Sequence, residues 1–418
     1  MSPANVDIHH SERTKTMKRF VTTLLIGLGL GISGWAQQED AVSSDPIDQL
    51  LRRIERLEQT VQELRQQMQA QDASEDSPSE APAASAAQAL VQTPSQDTPR
   101  NDPGVKISGL LFGDYYWVAS NHNPGLEDRN GFWVRRSYLT FDKPLGESLD
   151  MRLRFEMNSA GDFTSRSKLE PFVKDAYLRW KFSGNHSTYL GLSSTPTWNT
   201  VESHWGYRQV EKTVLDLQRL GSSRELGVAF RGSFDSQRKV RYHFQVANGA
   251  GTGSESDAEK KVLFSLGLYP TESVVLEFYT DYDNRPLDEY RRTFQGFVGF
   301  KQDWGRLGVQ YAHQTRNGDP DLELDAFSVY GVWKLSQRAS LFGRYDRMLD
   351  PNPDGARISY IPFDPTAESN LFIAGVDLRV NNQFSLIPNL EIIRYDKRED
   401  GTQPSTDFIP RMTFFYNF

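Results

Sequence analysis

The chain has 418 residues, a net charge of −8 and a mean hydropathy of −0.59. It contains no cysteine, which excludes disulfide bonds, thiolate metal sites and cysteine nucleophiles. Residues 104–418 contain 38 basic and 40 acidic side chains. This region therefore lacks the basic stripe that nucleic-acid binding requires, and we expect no nucleic-acid partner.

The N-terminus has the pattern of a secretory signal peptide. Two basic residues after Met17 precede an apolar stretch over residues 20–32, and small residues lead to Ala36. A transmembrane anchor requires about 20 apolar residues, and this stretch is shorter. We therefore predict that residues 1–36 are a signal peptide and that the mature protein leaves the cytoplasm.

Residues 37–70 carry the heptad pattern of a coiled coil. Asp45 suits an N-cap and Pro46 the first helical position. The predicted seam, with steps of three and four residues, consists of Ile47, Leu50, Ile54, Leu57, Val61, Leu64 and Met68. Such a helix implies oligomerisation. β-branched residues at a with Leu at d favour a dimer in isolation, so a trimer would have to be imposed by the rest of the protein. The alternative is an amphipathic helix that packs on a β-barrel formed by the rest of the chain or on its periplasmic rim.

Residues 71–103 are rich in Ala, Ser, Gln and Asp and contain five prolines. We predict a disordered, extended linker here.

The remainder of the chain, residues 104–418, alternates apolar and polar side chains in segments separated by turn residues. The predicted strands are 105–118, 132–143, 149–158, 172–182, 187–195, 224–234, 239–248, 261–270, 273–283, 292–302, 306–316, 325–336, 339–349, 368–380, 384–396 and 407–418. Short turns alternate with longer loops, as in bacterial outer-membrane barrels. The predicted fold class is therefore an all-β membrane protein, a sixteen-stranded antiparallel transmembrane β-barrel preceded by a short N-terminal coiled-coil helix. We expect it in the outer membrane with both termini periplasmic.

The last strand places an apolar or aromatic side chain at every second position and finishes on Phe. Arg411 and Thr413 lie on the opposite face. A soluble β-sandwich has no reason to end in this way. We interpret the ending as a signal for the barrel-assembly machinery and as a surface for outer-membrane lipid, carried by Met412, Phe414, Tyr416 and Phe418.

Charged side chains of both signs alternate with apolar ones in residues 151–158 and 239–246. Unpaired charge in a dry core is costly, and sixteen strands leave room for water, so we expect an aqueous lumen. Loop 196–223 is unusually apolar, with Trp198, Trp205 and Tyr207. We predict that it folds into the lumen and narrows the pore, with an outer cap or a subunit-contact loop as the alternative.

Four runs resemble the phosphate-selective porin O/P family: residues 132–141, 174–180, 189–192 and 222–228. The resemblance implies a trimeric porin whose third loop lines a constriction and whose lumen conducts anions past arginines and lysines. Arg135, Arg136 and Arg224 are similar to family positions. The expected pore-lining and anion-binding residues are Arg136, Arg152, Arg154, Arg179, Arg208, Lys212, Arg219, Arg224, Arg231 and Arg241.

The resulting functional hypothesis is a passive, anion-preferring homotrimeric porin for small anions such as phosphate. Glu202, Glu211 and Asp216 accompany the basic residues of loop 196–223, which keeps a dicarboxylate or general small-solute porin open as the alternative. A barrel enzyme would need an ordered nucleophile and histidine. The residues most similar to such a catalytic group are Ser203 and His204 beside Glu202. We expect no catalytic site, metal or cofactor. A non-conducting tether is the third possibility.

Overall fold

The computed structural model describes residues 104–166, 168–196, 198–318 and 320–418. The predicted signal peptide, coiled coil and linker lie outside the described residues and remain predictions. No helix in the described part of the chain is long and apolar enough to cross a membrane.

Sixteen antiparallel strands form a closed barrel in which each strand pairs with its neighbours in the chain and the first pairs with the last. The strands are β1 Lys106–Trp117, β2 Asn130–Pro144, β3 Leu149–Asn158, β4 Glu170–Ser183, β5 His186–Ser194, β6 Arg224–Ser233, β7 Val240–Ala247, β8 Lys261–Thr271, β9 Val274–Asn284, β10 Tyr290–Gln302, β11 Gly305–Asn317, β12 Leu322–Lys334, β13 Ala339–Met348, β14 Ser369–Arg379, β15 Phe384–Tyr395 and β16 Asp407–Asn417.

All sixteen predicted strands are present, which confirms the predicted fold class for the barrel. The prediction that short turns alternate with longer loops is wrong at two connections. The connections 285–289 and 318–321 are about as short as the turn 145–148, because β10 and β12 begin earlier than predicted. The longer connections still share one end of the barrel, here called the loop end, and the opposite end is the turn end.

The expected two-sided alternation is visible in β16. Met412 and Tyr416 are exposed on the outer surface, whereas Arg411 and Thr413 are buried inside the barrel. The outer face is therefore apolar and aromatic, as a lipid-facing surface requires.

The aromatic chain ending also closes the barrel. The Phe418 backbone exchanges two hydrogen bonds of 3.0 Å with Gly109 of β1. The rings of Phe418 and Phe414 lie where side chains at Gly109 and Gly113 would stand. Only glycine lets the aromatic rings at the end of the chain approach β1 this closely. The glycines of β1 and the aromatic residues of β16 are therefore complementary where the barrel closes.

Two connections fold into the barrel. The first inward loop, residues 196–223, contains a π-helical turn Trp198–Glu202 and the short helices α1 Ser203–Trp205 and α2 Val214–Leu217. The second inward loop, residues 349–368, buries Ile358, Ile361 and Phe363 in the same apolar cluster as the first. The first of these loops was predicted to fold inward from its sequence, and the second was not.

Candidate functional site

The first inward loop packs its apolar face against the inside of the wall formed by β10–β13. Trp205 is fully buried, with its ring centroid 5.0 Å from that of Tyr330 and 6.0 Å from that of Phe342. Tyr207 stacks on Phe342 at 4.4 Å. The loop thus lies in the lumen, as predicted.

Side chains of the wall hold the backbone of this loop by hydrogen bonds. Arg306 donates to the Trp205 carbonyl at 2.8 Å, and Arg344 donates to the Lys212 carbonyl at 2.5 Å. Gly206 ends α1 in a left-handed conformation with φ 69°, and a Cβ there would collide with the Arg306 guanidinium. The loop is therefore fixed by directed polar contacts as well as by apolar packing.

A β-bulge turns two consecutive arginines into the barrel. In the β1–β2 pairing Phe112 is opposite Arg136 and Gly113 is opposite Val134, so Arg135 is the extra residue. Without the bulge, alternation would send one of the two arginines to the outer surface. Both are buried instead.

Arg135 belongs to a buried charge cluster that fastens the first inward loop to the wall. Its guanidinium lies 2.6 Å from Glu211 and 3.5 Å from Asp114. Arg411 completes the cluster at 2.9 Å from Glu391. Burial alone would raise the pKa of Glu211, but Arg135 and Arg411 hold it below its ordinary value. Glu211 was expected to compensate the basic residues of the first inward loop. It instead pairs with arginines of the wall and so anchors the loop.

A cavity of about 700 Å³ lies at the loop end, between the first inward loop and the wall. Ten basic and six acidic side chains line it among the described residues. Five of the predicted residues meet here: Arg136, Arg208, Lys212, Arg219 and Arg224. The other five basic residues were not predicted from the sequence to line the pore; they are Lys174, Lys261, Arg285, Arg291 and Arg357.

Several of these cations are neutralised by neighbouring carboxylates. Glu156 lies 2.7 Å from Arg136 and 3.0 Å from Lys174. Arg224 lies 2.5 Å from Asp175, and Arg208 of the loop lies 3.2 Å from Glu202. The net charge of this cavity is nevertheless positive, because its basic residues outnumber its acidic ones.

Lys212 differs from these paired residues. It makes no ion pair within 4 Å among the residues that the structure describes, and it lines the cavity. Burial lowers the pKa of its ammonium group to about 8, against the opposing effect of Asp216. Its charge can therefore be lost in a mildly alkaline solution.

A second cavity, of about 450 Å³, lies on the turn-end side of the same loop. Among the described residues its lining includes Arg231, Arg241, Lys301 and Arg306 but a single carboxylate, Glu277. Arg231 lies 4.0 Å from the ring centroid of Tyr189, and Arg241 lies 3.9 Å from that of Tyr269. Stacking on tyrosine holds a guanidinium in place without cancelling its charge.

The remaining predicted residues lie outside both cavities. Arg152 lies 2.7 Å from Asp142, Arg154 3.2 Å from Asp175 and Arg179 2.6 Å from Asp150. These arginines are inside the barrel, but each is paired with a carboxylate of a neighbouring strand.

The side chains of the three residues considered for catalysis contact other residues instead of one another. His204 Nδ1 lies 2.9 Å from the Tyr330 hydroxyl, Ser203 donates to the Thr200 carbonyl at 3.1 Å, and Glu202 pairs with Arg208. Burial and the nearby Arg306 and Lys301 lower the pKa of His204 to about 4. In the described part of the chain no group of three or more His, Asp or Glu residues could hold a metal ion.

The closed sixteen-stranded antiparallel barrel matches the fold of bacterial outer-membrane porins. The chain is similar to an anion-selective porin from Comamonas acidovorans, with 11% identity and a TM-score of 0.55 over 75% of this chain and 99% of that one. It is similar to OmpF of Salmonella typhi in complex with daunomycin, with 12% identity and a TM-score of 0.57 over 77% and 99% of the two chains. The outer membrane channel DcaP of Acinetobacter baumannii gives 13% identity and a TM-score of 0.54 over 75% and 97%.

These likenesses concern the fold alone. No family model matches the sequence, and no curated protein sequence is similar to it.

Proposed function

We propose that the protein is a bacterial outer-membrane porin that lets small anions, phosphate among them, diffuse passively across the membrane. The observation that carries this proposal is the charge of the two cavities. The barrel region has slightly more acidic than basic residues, yet basic residues predominate in the cavities on both sides of the first inward loop. Positive charge is thus concentrated along the path that a solute would take.

The mechanism follows from the arrangement of these side chains. Arg208 and Lys212 of the loop share the loop-end cavity with Arg136 and Arg224 of the wall. Guanidinium and ammonium groups replace part of the hydration shell of an entering anion. Arg231 and Arg241, held on tyrosine rings, then offer charge on the turn-end side of the loop. No step requires covalent chemistry or an energy source.

The assembly and orientation belong to the same proposal. We place the protein in the membrane as a homotrimer, with its outer surface against lipid and the turn end, with both termini, facing the periplasm. The grouping of the longer connections at one end supports this orientation. The predicted coiled coil of residues 37–70 supports self-association.

The reversal potential of the purified protein in a planar bilayer across a KCl gradient tests the proposal. We expect an anion-selective conductance that is blocked by low concentrations of phosphate. Block by succinate but not by phosphate would favour a dicarboxylate porin, the alternative suggested by the acidic residues of the loop. Cation selectivity, or no conductance from a folded barrel, would contradict the proposal.

A further inference from the structure

Four charged side chains form a row across the loop end of β8–β11. The register pairs Lys261 with Asp283, Asp283 with Arg291, and Arg291 with Arg316. Lys261, Asp283 and Arg291 all line the loop-end cavity. Arg291 and Arg316 are therefore like charges directly opposite one another, an arrangement that destabilises a sheet unless an anion compensates it.

The single carboxylate of the row does not compensate Arg291. Asp283 lies 2.7 Å from Arg285 and 3.9 Å from Lys261. The Arg291 guanidinium makes no ion pair and no hydrogen bond with any residue that the structure describes. Its guanidinium group is therefore free to bind a solute.

Arg316 is also incompletely satisfied. Its Nη1 lies 2.8 Å from Asp354, a residue of the second inward loop. Its Nη2 is buried and has no hydrogen-bond partner among the described residues. A buried, charged donor without a partner is costly, and an anion bound beside Arg291 would satisfy it.

The two inward loops add further positive charge at this place. Arg219 donates a 3.3 Å hydrogen bond to the carbonyl of Arg357. The guanidinium of Arg357 lies 3.6 Å from Asp354 and is largely exposed to the cavity. Four guanidinium groups, those of Arg219, Arg291, Arg316 and Arg357, thus share one carboxylate, Asp354.

We propose that these four arginines form a binding site for small oxyanions with two or more negative charges, at the loop-end mouth of the channel. Carboxylate and phosphoryl oxygens fit the forked donors of arginine, and a dianion compensates two opposed guanidinium groups where chloride compensates one. The site rests on the proposed anion channel and deepens it. It lies on β10 and β11 and on both inward loops, apart from the paired residues of β2–β4.

The test compares two neighbouring arginines of one strand. Arg291→Gln removes the unpaired guanidinium, and Arg292→Gln removes a charge from the outer surface, where Arg292 lies over the rings of Tyr282 and Tyr290. Both variants lose one positive charge in β10. The measurement is the concentration of phosphate, and separately of succinate, that halves the chloride current of the full chain in a planar bilayer.

We expect Arg291→Gln to raise the half-blocking concentration of both dianions about tenfold or more, since it removes a charge-assisted hydrogen bond. Arg292→Gln should leave both values unchanged, and acetate should show little difference between the variants. Equal half-blocking concentrations in the two variants of an anion-selective channel would overturn the site but leave the proposed function standing. A wild-type channel without anion selectivity would overturn the proposed function first.

Discussion

Arg135 and Arg136 are adjacent in the chain but have different partners and different roles. Arg135 is buried against Glu211 and Asp114, where it anchors the first inward loop, whereas Arg136 lines the loop-end cavity beside Glu156. Arg136 was predicted to line the pore, whereas Arg135 was singled out only by the resemblance to a porin family. Alternation cannot place both inside, because the bulge between them depends on the pairing with β1.

The pKa of Lys212 leads to a prediction about pH. A lysine whose pKa is lowered to about 8 is charged below that value and neutral above it. We therefore expect anion selectivity to fall as the pH rises from about 7 to about 9. The reversal potential across a KCl gradient, measured at each pH, reports this change.

Two substitutions at the same position serve as controls for the pH effect. Lys212→Gln should lower the selectivity at neutral pH and remove its pH dependence over this range. Lys212→Arg should keep the selectivity high throughout, because guanidinium remains protonated. An unaltered pH profile in Lys212→Gln would show that another group is responsible.

At the scale of elements, the first inward loop is held by a combination of apolar packing and hydrogen bonds to its backbone. The contact surface lies on β10–β13, far along the chain from the loop itself. The apolar composition of residues 196–223 was sufficient to predict that the loop avoids solvent. The regular structure in its second half is a single helical turn, Val214–Leu217.

Removal of the main apolar anchor should loosen this loop without unfolding the barrel. Trp205→Ala deletes a fully buried side chain, a change that typically costs about 3–5 kcal/mol. We expect a larger and noisier single-channel conductance. Trp333→Ala is the matched control, since Trp333 is exposed on the outer surface. A quiet, unchanged conductance in Trp205→Ala would mean that the hydrogen bonds from the wall suffice to hold the loop.

The second inward loop was not anticipated from sequence. Tyr360 adopts a left-handed conformation with φ 74°, which is unusual for a tyrosine. Its hydroxyl donates to the Ser159 carbonyl at 2.6 Å, and its amide donates to the Gly161 carbonyl at 2.6 Å. These partners lie about 200 residues earlier in the chain, so local sequence patterns carry no sign of them.

For the whole molecule, the proposed selectivity is electrostatic and should depend on salt. Fixed charges are screened over roughly 10 Å at 0.1 M salt and roughly 3 Å at 1 M. We expect the ratio of anion to cation permeability to decrease when KCl is raised from 0.1 M to 1 M at a constant gradient. A ratio that stays the same would indicate selection by pore size instead of charge.

The sequence by itself determined the number of strands, their inward and outward faces and the aromatic ending, because alternation and turn chemistry are local properties of the chain. Even there, β10 begins at Tyr290 instead of residue 292, so Arg291 was assigned to a loop. Only the tertiary structure decided which carboxylate neutralises which arginine and that Arg135 anchors a loop. It also placed Arg291 opposite Arg316, with no ion pair to its guanidinium among the described residues. Those features depend on strand register and on contacts between distant residues, which a single sequence does not display.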